Sequence, residues 1–568
     1  MTMTAIETQQ PRRVSDDIND RWWLVIVGTA VASCGLQLWW FARTCLNEID
    51  FDGMGYIGMA RHIRQGEFHA AINSIRSPLI SWLIAAASFG SGDFLRIGKL
   101  VNVASFLLTL VLLYFLAKAL WHSRLAAAAA ALLFTLGRAL APAAVESITP
   151  DFLFASLAIV YFLLLLRALR NDRLRDWFSL GAVHGLAFLS KAFALPWLAV
   201  CTVAALVVSG KPWKTRIAPL AAAALIPAVI AAGWATVLHS KYGVFTTGSQ
   251  FRLNLLQWTL HVSGTHRDPA YTLLRDTSKD YDEYVVLDMP PGSWAWSYPL
   301  DFKQVIPKAI AAEGRIAPLV VKEMIIVATP GGCLAFVLAL VVITRRRQQY
   351  PMEWRFGVVT AVAALSLVAA YSMLVFDSRY LFPLIPLVLV VATGFLAGDR
   401  EFKLWRRICL ALVIGGTVFS ITYRSSPFRT LTRDFQDSCR DAGNRLRTHR
   451  SSRIVSVGSG PFPEHGVGWE AGYKAAYFAG SRIVGGLNSL PDPTQASSLA
   501  ADIEKASPDA ILVWGRADDH RRASVTQGLV VLYWRHSTEK ILDPALGEVG
   551  VIVFPQRPAA AGTVATVN

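Results

Sequence analysis

Uncharged apolar runs of about 20 residues recur along the chain, each long enough to cross a bilayer as a helix. Their spacing predicts spans at roughly 22–41, 98–118, 124–142, 150–167, 178–190, 193–209, 216–238, 323–343, 356–375, 380–398 and 406–423. The first run is too long for a signal core, and no small-residue cleavage site follows it, so it reads as a retained helix. The pattern predicts a polytopic α-helical membrane protein with about 11 transmembrane helices. Beyond residue 424 the pattern changes. Short β-like runs ("RIVSV", "SRIVGG", "AILVWG", "LVVLYW", "VGVIVF") alternate with helical ones at 431–447 and 494–505, which predicts a C-terminal α/β domain over 424–556.

Composition agrees. Of 568 residues, 54% are hydrophobic and only 17% charged, with a mean hydropathy of +0.40. The net charge is +15, but the position of the basic residues matters more than their sum. Arg12, Arg13 and Arg21 precede the first span, and Lys118 and Arg124 flank the second connection. Arg167, Arg170, Arg173 and Arg175 follow the fourth span, and Lys211, Lys214 and Arg216 the sixth. Arg345, Arg346 and Arg347 follow the eighth, and Arg400, Lys403, Arg406 and Arg407 the tenth. With the predicted spans, all of these clusters fall on one side, which the positive-inside rule makes cytoplasmic. They report orientation and membrane lipid, not a nucleic-acid partner.

Three segments are thereby placed outside: a loop over 42–97, a loop over 239–322 and the tail after 424. Residues 1–21 form a cytoplasmic N-terminal tail, and the Ala-rich end at 557–568 reads as disordered. The six cysteines include no CxxC pair, which argues against a metal knuckle or redox motif. "VGSGPFPEHG" lacks dinucleotide-fingerprint spacing and reads as a strand-to-helix turn.

Candidate chemistry concentrates in the outer loops. "NEIDFDGMGYIGMARHI" (47–63) puts Glu48, Asp50 and Asp52 close to the lipid surface. In an extended segment, Asp50 and Asp52 point the same way. Gly53 and Gly55 allow a tight turn into a short helix, whose Met54, Ile57 and Ile63 oppose Arg61, Arg64 and Gln65. Ser77–Pro78 reads as the cap and first turn of a second surface helix. Lys191 falls at an outer turn, and Arg379 at the outer start of the tenth span. Each could hold an anion, or Lys191 could snorkel and Arg379 pair with Asp377. "Thr149-Pro150-Asp151" is a complete helix start, which explains Asp151 structurally. Glu146 has no such explanation and is a cavity candidate. His184 reads as a helix–helix hydrogen bond. Trp258, His261 and His266, in the 239–322 loop, are further contact candidates.

The outer-loop pattern resembles the GT-C superfamily of membrane glycosyltransferases, in particular its protein mannosyltransferase and aminoarabinose transferase-like branch. The matching residues are Asp52–Tyr56, Ala60–Arg61 and Arg76-Ser77-Pro78-Leu79. "ITPDFLFASLAIVYFLLLLR" (148–167), "GLAFLSKAFALPWL" (185–198) and "DSRYLFPLIPLVLV" (377–390) follow in the family's order. The resemblance covers about residues 20–400. The chain departs from the family pattern at Gly53, where Glu often follows the catalytic Asp, and at Ser190, where Thr precedes the lysine.

The resemblance implies a transmembrane glycosyltransferase domain over 22–423 in a bacterial inner membrane. It implies a polyprenyl-phosphate-linked sugar donor, inversion at the anomeric carbon, and a glycan, lipid or protein acceptor. Such a reaction needs a base for the acceptor and cations for the phosphate. Asp52 is the expected base with Asp50 in support, and the pair could hold a divalent metal cation if one is used. Lys191, Arg379 and Arg76 are the expected phosphate ligands, and Tyr56, Glu146 and Tyr380 are expected to line the substrate cavity. The rivals are a polytopic transporter, which would want charges at mid-membrane and repeated broken helices, and a non-enzymatic cell-envelope assembly protein.

Overall fold

The structure is a computed structural model. It describes residues 22–45, 49–90, 92–137, 140–259, 302–373 and 377–397, together with shorter pieces to residue 553. Glu48, His261, His266, the 494–505 helix, the "LVVLYW" run, both chain ends and most of the span at 406–423 lie outside the described residues. The chain forms two units. One comprises residues 1–47, 72–261 and 289–425, and the other 48–71, 262–288 and 426–568.

The first unit is helical. It contains α1 (Trp22–Cys45), α3 (Leu79–Ala87), α4 (Phe94–Trp121), α5 (Arg124–Leu136), α6 (Leu140–Glu146), α7 (Asp151–Asn171), α8 (Leu174–Ser190), α9 (Ala194–Val208), α10 (Trp213–Tyr242) and α11 (Gln250–Asn254). These are followed by α12 (Phe302–Ala328), α13 (Pro330–Arg345), α14 (Pro351–Met373) and α15 (Ile385–Ala397). Five described helices are long and apolar enough to cross a membrane, and up to seven spans result if each of two bent pairs counts once. Ala194–Val208 and Ile385–Ala397 are apolar but shorter. Exposed Leu36, Leu107, Val203, Val229 and Leu365 fit a lipid-facing surface.

Two predicted spans are corrected. The run at 124–142 is broken, with α5 ending at Leu136 and α6 starting at Leu140, bent by 56°. The run at 323–343 is split by a turn at Thr329–Pro330. Pro330 cannot donate to the preceding turn, so α12 stops, and the Thr329 hydroxyl accepts from the Gly332 amide at 3.2 Å to start α13. The two pieces meet at 100°.

Lipid offers helices no hydrophobic drive to associate, so packing and buried polar contacts hold them. Phe106 stacks on Phe134 and meets Phe152 edge-on, and Phe152 stacks on Phe382 at 4.8 Å. The Thr109 and Ser156 hydroxyls join α4 to α7 at 2.8 Å. Asn102 donates to the carbonyls of Ala144 and Ser147, which the end of α6 leaves without helical partners. Trp121 donates to the Val390 carbonyl at 2.7 Å, and Trp197 to that of Ala363 at 2.9 Å.

The second unit holds α2 (Phe51–Gln65), α16 (439–448), α17 (474–479) and a five-stranded sheet in the order β2-β1-β3-β5-β4. The strands are β1 (Arg453–Val457), β2 (Arg482–Leu487), β3 (Ala510–Val513), β4 (Ser537–Asp543) and β5 (Gly547–Val553). β1 pairs in parallel with β2 and β3, while β5 is antiparallel to β3 and β4. The sequence reading missed β4. Its "STEKILD" is mostly polar, as suits a terminal strand in the sheet order, and it lacks the apolar run that marks a central one.

Candidate active site

The clearest constellation in the first unit forms where three helix ends converge. α7 starts at Asp151, which lies in its first turn as expected, but Pro150 rather than Thr149 takes the N-cap position and no side chain caps the helix. Lys191 ends α8: its backbone is extended (φ −151°, ψ 119°) and its amide still reaches the Ala187 carbonyl at 2.8 Å. The 3₁₀ turn Ser378–Leu381 precedes α15, and its first amides are capped by Asp377, which accepts from the Arg379 amide at 3.1 Å.

The side chains interlock. Lys191 Nζ donates to Asp151 Oδ1. Arg379 Nε lies 2.9 Å from Asp377 Oδ2 and 4.0 Å from Asp151 Oδ2. Lys191 Nζ also stands 4.3 Å from the centre of the Tyr380 ring. Tyr380 stacks on Tyr371 at 4.4 Å, and Tyr371 packs on Phe193 at 4.8 Å. Burial pushes the Tyr380 phenol up to about 12 against the pull of Lys191 and Arg379, so it stays a neutral hydrogen-bond donor. Asp151 is only 2% exposed, Lys191 12% and Arg379 25%. The cluster therefore holds two cations and two carboxylates, with Arg379 at its more accessible side.

Lys191, Arg379 and Tyr380, predicted separately, are thus brought together. Both alternatives raised for Arg379 remain chemically open, because its pairing with Asp377 engages only part of a guanidinium with five N–H donors. Asp151 is the residue the sequence reading missed as a site member. Its helix-start role is real and hid a second one. The 40 residues between Asp151 and Lys191 give no local signal of their pairing.

Arg76 lies on a segment built from its own neighbours. The Asn73 side chain accepts from the amides of Ile75 and Arg76 at 2.8 and 2.7 Å, which folds the chain back on itself. From α10, Lys241 Nζ and the Tyr242 hydroxyl both donate to the Ile72 carbonyl, at 2.5 and 3.0 Å. Ser249 donates its amide to the Ser74 carbonyl at 2.6 Å. Arg76 is buried. The predicted Ser77 cap is not formed: α3 starts at Leu79, with Pro78 at the N-cap and no side-chain cap. Glu146 ends α6, half-buried, with Oε1 3.8 Å from Cys45 Sγ. Buried Lys99 donates to the Cys45 carbonyl beside it. His184 meets the Leu195 carbonyl at 2.9 Å, the helix–helix contact expected of it.

In the second unit the acidic pair differs from its expected form. Asp50 is extended (φ −86°, ψ 162°) at the N-cap, but the helix begins at Phe51, so Asp52 already sits in its first turn. The turn expected at Gly53 and Gly55 is absent. Both glycines are helical and buried, so the spacing of two does not align the carboxylates as it would in a strand. Asp52 gains instead the positive end of the helix dipole. Asp50 and Asp52 are half-buried and Tyr56 is buried. Gly66 at φ +80° closes the helix, its amide donating to the carbonyls of His62 and Ile63. The amphipathic reading holds at Met54 and Ile57, which are buried, and at Arg64 and Gln65, which are exposed. Among the described residues, no group of three or more His, Cys, Asp or Glu side chains is placed to hold a metal ion.

Among solved structures, apo ArnT from Cupriavidus metallidurans superposes on the chain with a TM-score of 0.52 at 13% identity, covering 94% of this chain and 99% of that one. The chain thus shares the fold of that membrane glycosyltransferase, and over part of its length it resembles the GT-C class by sequence. More particularly, residues 75–234 match the family model for dolichyl-phosphate-mannose-protein mannosyltransferase. An undecaprenyl phosphate-alpha-4-amino-4-deoxy-L-arabinose arabinosyl transferase from Pseudomonas paraeruginosa is 29% identical over 164 residues. A second such transferase, from Pseudomonas fluorescens, is 30% identical over 168 residues. Each alignment covers 28% of this chain and only 30% of the relative's own length.

Proposed function

We propose that the protein is a membrane glycosyltransferase that moves a sugar from a polyprenyl-phosphate-linked donor to an acceptor on the extracytoplasmic face. The observation that carries the reading is the overlap of two signals on one stretch. The segment 75–234, which matches the mannosyltransferase family, contains Arg76, Asp151 and Lys191. The relatives aligned by sequence are named for an undecaprenyl phosphate-linked aminosugar, which makes a polyprenyl-phosphate donor the first to test.

In this reading Asp52 takes a proton from the acceptor as its nucleophilic atom bonds to the anomeric carbon. The bond from that carbon to the phosphate oxygen breaks, the electron pair leaves with the phosphate, and the configuration inverts. The departing charge needs cations and little proton donation. Arg379 and Arg76 supply fixed guanidinium donors, and Lys191 is held ready by Asp151. Asp50 orients the acceptor. Tyr380 contributes a neutral hydroxyl, and Tyr56 and Glu146 are kept as candidate substrate contacts, each within its own unit. No step here passes through a metal ion.

The test is a turnover assay on purified protein in detergent or nanodiscs, with a panel of polyprenyl-phosphate sugars. Release of polyprenyl phosphate dependent on added acceptor is the expected result. Absence of transfer and of saturable donor binding across the panel would overturn the reading.

A further inference from the structure

The second unit joins pieces of chain that are far apart in sequence: α2, which carries Asp52, and the C-terminal sheet with its helices. The Arg61 guanidinium carbon lies 4.7 Å from the centre of the Tyr477 ring, a cation–π contact between α2 and α17. Arg61 follows Asp52 by nine residues. In a helix that is a rotation of half a turn and a rise of about 13.5 Å. Arg61 and Asp52 therefore lie on opposite faces of α2, toward its two ends.

The other side of the contact is itself fixed. Arg447 of α16 donates to the Phe478 carbonyl, and Arg440 lies over the Phe478 ring at 5.4 Å. At Gly443 the two helices touch closely: a Cβ there would stand 2.5 Å from Phe478 Cβ and 2.7 Å from the Ala475 carbonyl oxygen. α17 is thus locked to α16 at Ala475 and Phe478, while Tyr477 between them meets α2.

We propose that the C-terminal domain is the positioning element for the helix that carries Asp52, with Arg61 on Tyr477 as its contact. Arg61 and Tyr477 are positioning residues that act through α2. Arg61, on the face opposite Asp52, is the point at which the domain holds the helix. The catalytic consequence rests on the reading of Asp52 as base, whereas the holding of α2 does not.

The experiment uses the full-length protein in nanodiscs and two kinds of variant. Tyr477→Leu and Arg61→Gln remove the contact, while Tyr477→Phe and Arg61→Lys keep a ring and a cation. Hydrogen exchange of the α2 amides is read first, with the β1 amides as the measure of an intact C-terminal domain. The removing variants are expected to exchange about five-fold faster over α2, the scale of a single exposed cation–π contact, with β1 unchanged. The conserving variants should match the parent. Transfer kinetics are read second, with kcat falling about five-fold and KM for the donor unchanged in the removing variants only. Unchanged α2 exchange in both removing variants overturns the proposal, as does equal loosening in Tyr477→Phe. Faster α2 exchange with unaltered kcat upholds the holding contact and overturns its positioning role in catalysis, while the assignment of Asp52 as base is decided separately by Asp52→Asn.

Discussion

Lys191 and Asp151 neutralise each other in a site where water scarcely reaches them. Removing one charge of such a pair leaves the other buried without compensation. Lys191→Met is therefore expected to destabilise the first unit by about 3 kcal/mol, read as a lowered midpoint of thermal unfolding in detergent. Asp151→Asn added to Lys191→Met should recover much of that loss, since the double variant buries no lone charge. Equal losses in single and double variants would mean that the two do not form a pair. Arg379, nearer solvent, is the better residue for testing phosphate binding. Arg379→Ala should weaken donor use several-fold with little effect on unfolding, because its exposed end adds little to stability while a charge-assisted bond to phosphate adds more. Asp52→Asn keeps size and hydrogen bonding but cannot accept a proton. It should lower turnover by roughly 100-fold or more, the usual contribution of a general base, and Asp50→Asn should lower it less. Near-normal turnover in well-expressed Asp52→Asn would transfer the role to another carboxylate.

Helix packing allows an element-scale test. Gly181 and Gly185, four apart on α8, face α10 so closely that a Cβ at Gly181 would stand 2.7 Å from the Ala223 carbonyl oxygen, and one at Gly185 would stand 2.4 Å from Ile230 Cδ1. Backbone cannot yield as a side-chain tip can, so Gly181→Ala should cost about 1–3 kcal/mol. Gly233→Ala, on α10 with nothing within 4 Å, should be neutral or stabilising. The two unfolding midpoints decide this directly. The positions of α4, α7 and α10 were legible because an apolar run of helical length has one reading in lipid. The stop at Thr329 was not, because Thr and Pro within an apolar run look the same whether they start a helix or pass through one. The helical state of Asp52 was also not legible, since Gly53 and Gly55 signal a turn locally but here are buried within α2. Of the candidate site, Lys191, Arg379 and Tyr380 were found because they lie in stretches resembling a family. Asp151 was not, because its local role already accounted for it.

At the scale of the whole molecule, the chemistry proposed for Asp52, Lys191 and Arg379 requires the segments that carry them to open on the same side of the membrane. The basic clusters supply the physical reason for that orientation. Arg170, Arg173 and Arg175 at the α7–α8 connection, Lys211 and Lys214 at the α9–α10 connection, and Arg345 and Arg347 at the end of α13 are each costly to move across a bilayer. Near those connections Arg167 is paired with Asp176 at 2.9 Å and Lys211 with Asp172, so part of this charge is also fastened to the helix ends. Lys191, by contrast, ends α8 one helix length away from Arg173, and the Arg379 turn precedes α15. Single cysteines placed at Ser91, His266 and Thr448 should accordingly label with a membrane-impermeant maleimide in intact cells, and ones at Ser123, Ser209 and Gln348 only after permeabilisation. Labelling of position 448 from the cytoplasmic side would separate the C-terminal domain from the face on which the transfer is proposed to occur. It would also leave α2, which shares a folded unit with that domain, no route to an extracytoplasmic acceptor.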